Sequence, residues 1–470
     1  MSRTVTEAGH QQNPERFPAG RFLSREECLT LAKKVTGFAV GGGHTNTYIE
    51  SSWTGNVRWA RNQISTCGDV RNNEIGVARV IRGASNVVVT NQIDPTSLEG
   101  AVRKAERLLL QSPEHPEAEL YAPYMEPFQE PKLWFDRTYQ LQAEERAAAM
   151  RTLVKPAQDA GMLSAGYIQV SAYGRATMDG REQTLYYPFT QAQYSVTVRD
   201  PKGMGSGWAG VDWNDWGRID AEQLSAIALD KCLRSRNPVA VEPGRYTVVL
   251  EPQATCGLVA PMLSAQAMDR KAAENWPPPT PYSAHEREYS KIGEQLLDER
   301  ITITADPMDP DLGFPPYSMW GEVYHPATWF ENGVLTNLAY DRSYAIGQLG
   351  KNAGLPMNGA FKMSGGTTSV EEMIATTKRG VLVTRFSNIE MVDFESLLLT
   401  GVTRDGLWLI ENGKVSKPIK NFRFTESPLF ALNNLLQLGP PQRVFRPGQP
   451  TVVPPLKVQD FSFTSMADAI

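Results

Sequence analysis

The period of apolar positions changes several times along the chain, and each change predicts an element. From Ser24 to Val35 the spacing is helical. Ser24 stands at the N-cap with Glu27 three residues on, a capping-box pattern. The period then shortens. Thr45 to Ala60 carries Tyr48, Ile49, Trp53, Val57 and Trp59, and two further runs, Glu74 to Arg82 and Asn86 to Gln92, are rich in Val and Ile. Turn chemistry at Gly55-Asn56, Asn72-Asn73 and Gly83-Ala84-Ser85 predicts an antiparallel meander, with Cys67-Gly68 in a turn between two of its strands. Asp94-Pro95-Thr96 opens a helix through about Leu110, with Leu98, Val102, Ala105 and Leu109 on one face.

Five prolines between Pro113 and Pro131 mark a linker. Helical spacing returns from Leu141 to Ala160. Strands are predicted at Ala165 to Tyr173, Gln183 to Phe189 and Gln191 to Val198. Gly203, Gly205, Gly207 and Gly210 read as a loose connection and surface loop, and a helix follows from Ala221 to Arg236. Asn237-Pro238 to Gly244 is the expected domain boundary. Beyond it come a strand at Tyr246 to Leu250 and a helix at Gly257 to Ala273, with Pro261 tolerated near its first turn. From Arg300 onward short strands alternate with turns, including Glu331-Asn332-Gly333 and Glu411-Asn412-Gly413, where Asn-Gly suits a type I′ hairpin. The expectation is an α+β protein: a flexible tail over 1–20, an N-terminal α/β domain over 21–236 with its meander and helices, and a sheet-rich, barrel- or sandwich-like domain over 240–470.

Composition narrows the function. Hydrophobic residues make up 41% and charged residues 21% of 470, ordinary for a globular chain large enough to bury a core without covalent staples. The formal charge of −5 is spread evenly, with no basic stripe, which argues against direct nucleic-acid binding. No apolar run reaches the roughly 18 residues of a bilayer span. The polar N-terminus has no apolar core of a secretory signal. Cys28, Cys67, Cys232 and Cys256 form no CxxC pair and read as free thiols of a cytoplasmic protein.

Candidate chemistry is sparse. The GxGxG at Gly203 to Gly207 is followed by Asp-Trp-Asn-Asp-Trp rather than an apolar helix, so it is no dinucleotide fingerprint. No G-x-S-x-G elbow occurs. Cys67 has no histidine near it in sequence. Trp208, Trp213 and Trp216, interleaved with Asp212 and Asp215, read as a loop packing on the sheet. His285-Glu286, with Glu288, Glu294 and a distant His325, is the one cluster with metal-ligand chemistry. Ser283 and Glu286 also fit a capping box, the reading preferred here. His10, His44 and His115 fall in a tail, a glycine-rich loop and the proline linker.

An ordered set of motifs in the C-terminal half carries more information. It comprises Glu331-Asn332-Gly333-Val334-Leu335, Tyr340-Asp341-Arg342-Ser343-Tyr344-Ala345 and the run from Gly365-Gly366-Thr367-Thr368-Ser369 through Gly380. Leu409-Ile410-Glu411-Asn412-Gly413-Lys414-Val415, Pro418-Ile419 and Asn421-Phe422-Arg423-Phe424-Thr425-Glu426-Ser427-Pro428-Leu429 complete it. This set resembles the TldD/PmbA family, also called modulator of DNA gyrase. The likeness is strongest from Arg300 to Asn434 and fair from Thr45 to Leu110.

The resemblance implies a metallopeptidase fold with two kinds of subunit. The active kind carries HExxxH on a helix after the strand that opens the C-terminal domain, with a cysteine ligand further on; the glutamate serves as general base on metal-bound water. In this chain Ala260, Pro261 and Ala265 occupy those positions, and no cysteine follows Cys256. No catalytic, cofactor-binding or metal-ligating residue is therefore nominated. The resemblance implies a non-catalytic, TldE/PmbA-type subunit of a heterodimer, with zinc in a TldD-type partner and unfolded or leader peptides cut in a closed chamber. Two other readings keep the fold: a hydrolase acting through an unrecognised site, and a homodimeric peptide-binding or scaffold protein.

Overall fold

The structure, a computed structural model, describes residues 22–81, 84–113, 125–203, 205–274, 279–284 and 289–467. Its first helix, α1 (Arg25–Gly37), has the expected reciprocal cap: the Glu27 amide donates to Ser24 and the Ser24 amide to the Glu27 carboxylate. Six antiparallel strands follow, β1 (His44–Ala60), β2 (Gln63–Ile81), β3 (Ala84–Thr90), β4 (Leu163–Met178), β5 (Thr184–Arg199) and β6 (Ser206–Trp213), in the spatial order β3-β2-β1-β4-β5-β6. Between β3 and β4 lie α2 (Pro95–Leu109), the short α3 (Asp136–Tyr139) and α4 (Ala143–Asp159). After β6 comes α5 (Ala221–Arg234).

The meander is present and reverses between Ile81 and Ala84, next to the expected Gly83-Ala84-Ser85, but the other two expected turns are not turns. Gly55-Asn56 and Asn72-Asn73 sit inside β1 and β2, where they pair in register, and Cys67-Gly68 is likewise in β2. The chain reverses at Arg61-Asn62, both with positive φ (51° and 65°). Gly55 is a packing glycine: a Cβ there would lie 2.4 Å from the Arg146 guanidinium. The local turn signal yields because β1 is held between β2 and β4 along most of its length. The strands expected at Gln183 to Phe189 and Gln191 to Val198 are one strand, β5.

The glycine-rich stretch after Asp200 is also different from the expected loop. Among its described residues only 200–203 and Gly205 are irregular; Gly207 and Gly210 belong to β6. Gly207 lets α5 lie against the strand, since a Cβ there would meet the Ala228 carbonyl at 2.1 Å. The helices cover one face of the sheet. Val57, Trp59, Ile168, Tyr194, Val196 and Val198 pack there with Leu153, Leu224 and Ala228, all under 9% exposed. The other face is mixed: Leu185, Tyr187 and Phe189 of β5 are buried there against Met125, Leu133, Tyr317 and Val323, and polar side chains such as Gln169 and Gln193 share it.

The C-terminal half begins at β7 (Gly244–Leu250), followed by α6 (Pro252–Val259), a 3₁₀ turn (Ala260–Leu263) and α7 (Arg270–Glu274). Then come β8 (Ile303–Ala305), β9 (Ala327–Glu331), β10 (Val334–Leu335), α8 (Arg342–Leu349), β11 (Phe361–Met363), α9 (Val370–Ala375), β12 (Arg379–Asp393), β13 (Leu398–Glu411), β14 (Lys414–Pro418), β15 (Phe422–Glu426), α10 (Pro428–Asn433), β16 (Leu435–Leu438), β17 (Gln442–Val444), β18 (Thr451–Val453) and β19 (Leu456–Met466). Pairings run β12-β7-β19-β15-β13 and return from β13 to β12, so these strands close into a barrel. Closure removes free sheet edges. β7 and β12 pair in parallel, and Val248, Val249 and Leu250 are fully buried. A second sheet, β10-β9-β8-β11-β18-β17, packs beside the barrel around Phe330, Phe361 and Trp329. Both Asn-Gly turns appear as expected, with Asn332 and Asn412 at φ 48° and 50°.

The helix expected from Gly257 to Ala273 is broken into α6, the 3₁₀ turn and α7. Pro261 has no N–H to donate back, so the α-helical ladder stops at Val259.

Candidate functional site

The segment after β7 is where the resemblance puts a metal, and its surroundings explain its character. The Glu251 amide donates to the Val383 carbonyl at 3.0 Å, which anchors the strand-to-helix junction to the barrel. The Glu251 carboxylate meets Lys231 of α5 at 2.5 Å. Pro252 takes the first helical position, where its missing N–H costs nothing. Gln253 holds Phe445 in a two-way bond, donating to its carbonyl at 3.2 Å and accepting from its amide at 3.1 Å. Tyr282 donates to the Met262 carbonyl at 2.9 Å. The segment is thus fixed at both ends.

What it presents between those ends is apolar. Ala254, Leu258, Val259, Met262 and Leu263 are fully buried in the barrel core. The Thr255 hydroxyl is buried without a hydrogen-bond partner among the described residues. Burial pushes the Cys256 thiol up to about 11, so it stays protonated at neutral pH.

This donor set does not fit zinc. Ala260 and Pro261 lie in the 3₁₀ turn and Ala265 is exposed beyond it, so even the backbone lacks the continuous helix that would bring two ligands to one face. Among the described residues no group of three or more His, Cys, Asp or Glu is placed to hold a metal ion.

The other candidates from the sequence are dispersed. His285, Glu286, Glu288, His10 and His115 lie outside the described residues, and so does half of the Ser283–Glu286 capping pair. Glu294 is exposed. His325 bonds through Nε2 to Glu126 at 2.6 Å. His44 opens β1, and its carbonyl accepts from Arg79 at 3.2 Å. Cys67 is exposed on β2, while Cys28 and Cys232 are buried with thiols pushed up to about 12 and about 11.

Trp208 and Trp213 lie in β6, not in the expected loop, and belong to a junction between the two halves, whereas Trp216 packs on Tyr194 within the N-terminal half. Trp213 lies under Arg218, 3.6 Å from its guanidinium carbon, with Arg443 at 4.8 Å. Trp208 stacks with Arg385 at 4.6 Å and meets Phe445 edge-on. Asp212 of β6 accepts from Arg443 at 2.6 Å and from the Arg446 amide at 2.7 Å. Asp405 of β13 accepts from Arg385 at 2.7 Å and from Ser206 at 2.5 Å. The Asp-Trp interleaving was the signal available. Its meaning depends on arginines roughly 170 to 235 residues away in sequence, a separation no local pattern reports. Beside this junction Gln169, Gln193, Asp212, Trp213 and Arg443 line a narrow cleft of about 20 Å³.

Comparison with known proteins bears on the fold and the C-terminal half. Residues 243–465 match the family described as PmbA/TldA metallopeptidase C-terminal domain. Three similar solved structures span nearly the whole chain. One is a putative modulator of DNA gyrase from Bacteroides thetaiotaomicron (TM-score 0.79, 16% identity, covering 94% of this chain and 100% of that one). Another is TldE from Thermococcus kodakarensis (0.76, 16%, 93% and 99%). A third is a putative modulator of a DNA gyrase from Thermotoga maritima (0.73, 15%, 94% and 99%). At these identities the likeness is one of fold. No curated protein matches the chain.

Proposed function

From the membership of its C-terminal half, residues 243–465, in the TldD/PmbA family, we propose that this chain is a non-catalytic, TldE/PmbA-type subunit of a heterodimeric metallopeptidase. The observation that carries the reading is the apolar, proline-broken segment Pro252–Leu263, which supplies no metal ligand where the active kind of subunit has three ligating or catalytic side chains. In this reading a TldD-type partner holds zinc and the general base. The present chain contributes wall and interface to a chamber that admits unfolded or leader peptides and excludes folded domains. The likeness in fold to TldE of Thermococcus kodakarensis is consistent with that role.

The barrel gives the reading a physical basis. Its core fills the volume around α6 with Leu258, Val259, Met262 and Leu263, so the segment stabilises the fold instead of holding a reacting water. The test is a peptidase assay on unstructured peptides, with the chain alone, an HExxxH homologue alone, and both together. The reading expects cleavage only when the homologue is present, and formation of a stable pair. Cleavage by the purified chain alone would refute it.

A further inference from the structure

The two ends of the N-terminal sheet are finished differently. At one end β6 is covered by the C-terminal half: Asp212 accepts from Arg443, and Trp208 meets Phe445 edge-on. At the other end β3 stands first in the strand order, and no described strand pairs along its far side. The run Ala84-Ser85-Asn86-Val87-Val88-Val89-Thr90, with Asn91 and Gln92 after it, carries no charge and no proline. Its register with β2 is unbroken from Ala84 opposite Ile81 to Thr90 opposite Ile75. Val88 is buried with Val77 of β2 and with Leu98, Val102 and Ala105 of α2. Side chains alternate faces along a strand, so Val87 and Val89 lie on the face away from α2, where they are 48% and 53% exposed.

A free strand edge normally carries lysines, prolines, bulges or other charges that stop a further strand from adding. The neighbouring stretch of β2 is protected in this way. Residues 63–73 lie beyond the reach of β3, and they include Asp69, Arg71 and a register shift opposite Arg58 and Trp59. β3 has none of these devices. Four of its seven residues are β-branched, and short uncharged runs of that kind pair readily with copies of themselves. Apolar surface continues around it. The Tyr48 ring lies over Gly76, the residue opposite Val89, and meets Trp320 edge-on at 4.7 Å. Ile93 and Leu110, just before and just after α2, are exposed.

We infer that β3 is the seam of a two-fold pair of this chain, in which the β3 edges of two copies join antiparallel and one sheet runs through both molecules. Pairing about Val88 sets Val87 of each copy against Val89 of the other, and Val88 against its own counterpart on the helix side. Asn86 then meets Thr90. A two-fold about Val87 would instead put Val89 against Ser85, so the sequence of the strand selects the register. An unrelated strand would gain the backbone bonds but would match the valines only by chance, which favours a second copy as the occupant. The helices fit the same geometry. α2 packs on both β2 and β3, and strands lie about 4.8 Å apart, so the two α2 helices would stand roughly 10 Å apart across the seam, a distance at which helices pack. The seam therefore joins a strand pair and a helix pair, and buries more than one short strand edge could alone. The inference goes beyond the subunit reading above and does not rest on it.

The test is sedimentation equilibrium of the full chain with no homologue present. The wild type is expected to form a concentration-dependent dimer. Val87→Lys/Val89→Lys and Val87→Glu/Val89→Glu are each expected to weaken it at least about tenfold, because like charges then face each other across the seam. Far-ultraviolet circular dichroism matching the wild type shows that each variant is folded. An equimolar mixture of the two variants is expected to dimerise again, Lys against Glu, a rescue that a merely structural role for the valines would not give. Met391→Lys/Val392→Lys, at exposed positions of β12, is expected to leave the dimer unchanged. A wild type that stays monomeric at every concentration, a dimer that survives both charged variants, or folded variants that fail to recover on mixing would overturn the inference. Loss of homologue binding in the Lys variant, beside a wild type that is monomeric alone, would give the edge to the homologue and overturn it as well.

Discussion

The segment Pro252–Leu263 and the face of the N-terminal sheet opposite its helices differ in which groups they leave unpaired. The first buries aliphatic side chains to completion and leaves the Thr255 hydroxyl without a partner among the described residues. The second keeps the carboxamides of Asn56, Gln191 and Gln193 half-exposed, with no hydrogen-bond partner among the described residues. The first is the place where the family resemblance puts chemistry, and the second lies in a region with no chemical motif. Packing density explains the contrast. A filled core tolerates no polar ligand set without compensating contacts, whereas a sheet face that no helix covers can present polar groups at little cost to stability.

Four perturbations would break or sharpen that contrast. The largest effect is expected at the junction that holds both regions in place. Asp212→Ala leaves the Arg443 guanidinium buried without its counter-charge, and should cost about 3–5 kcal/mol in chemical denaturation. An unchanged midpoint would mean that the halves do not depend on this ion pair. Next, Leu258→Ala opens a cavity in the barrel core and should cost about 2–5 kcal/mol, while Gln193→Ala should stay within about 0.5 kcal/mol. Comparable losses at the two positions would erase the distinction between filled core and sheet face.

A smaller effect concerns acid. The Asp298 carboxyl is held below the usual range, chiefly by its bonds from the Arg300 side chain. A depressed carboxyl stabilises the fold above its unfolded pKa, and that contribution disappears as pH falls through the folded value. Asp298→Asn should therefore flatten the acid limb of the stability curve by less than about 1 kcal/mol, as befits a partly exposed pair. A steeper limb would contradict the assignment. The last test moves no stability at all. Burial keeps the thiols of Cys28, Cys232 and Cys256 protonated, and Cys67 is exposed. Native chain treated with Ellman's reagent should release one equivalent quickly and the remainder only on unfolding; fast reaction of a second thiol would show that α1, α5 or α6, which carry Cys28, Cys232 and Cys256, opens in the native state.

Much of the fold was legible because local and tertiary demands agree. The capping box at Ser24, the helices after Asp94 and Asp220, the strand before Pro252 and the two Asn-Gly hairpins all follow from short-range chemistry. Gly55-Asn56 misled because a glycine can mark close approach as readily as a turn: the Arg146 guanidinium fills the space its side chain would take. The glycines after Asp200 misled for the same reason, Gly207 admitting α5 against β6. That Ala260, Pro261 and Ala265 stand where the resemblance puts the HExxxH side chains was legible from residue identity alone. The grouping of polar side chains on the sheet was not, since Asn56, Gln169 and Gln193 become neighbours only through cross-strand register.

The central claim is that this chain contributes no metal ligand to a paired enzyme, and zinc counting on each subunit tests it most directly. After copurification with an HExxxH homologue and separation of the two chains, inductively coupled plasma mass spectrometry should find zinc with the homologue and none in stoichiometric amount with this chain. A tight equivalent of zinc retained here, and lost on substituting His285 or His325, would contradict the account.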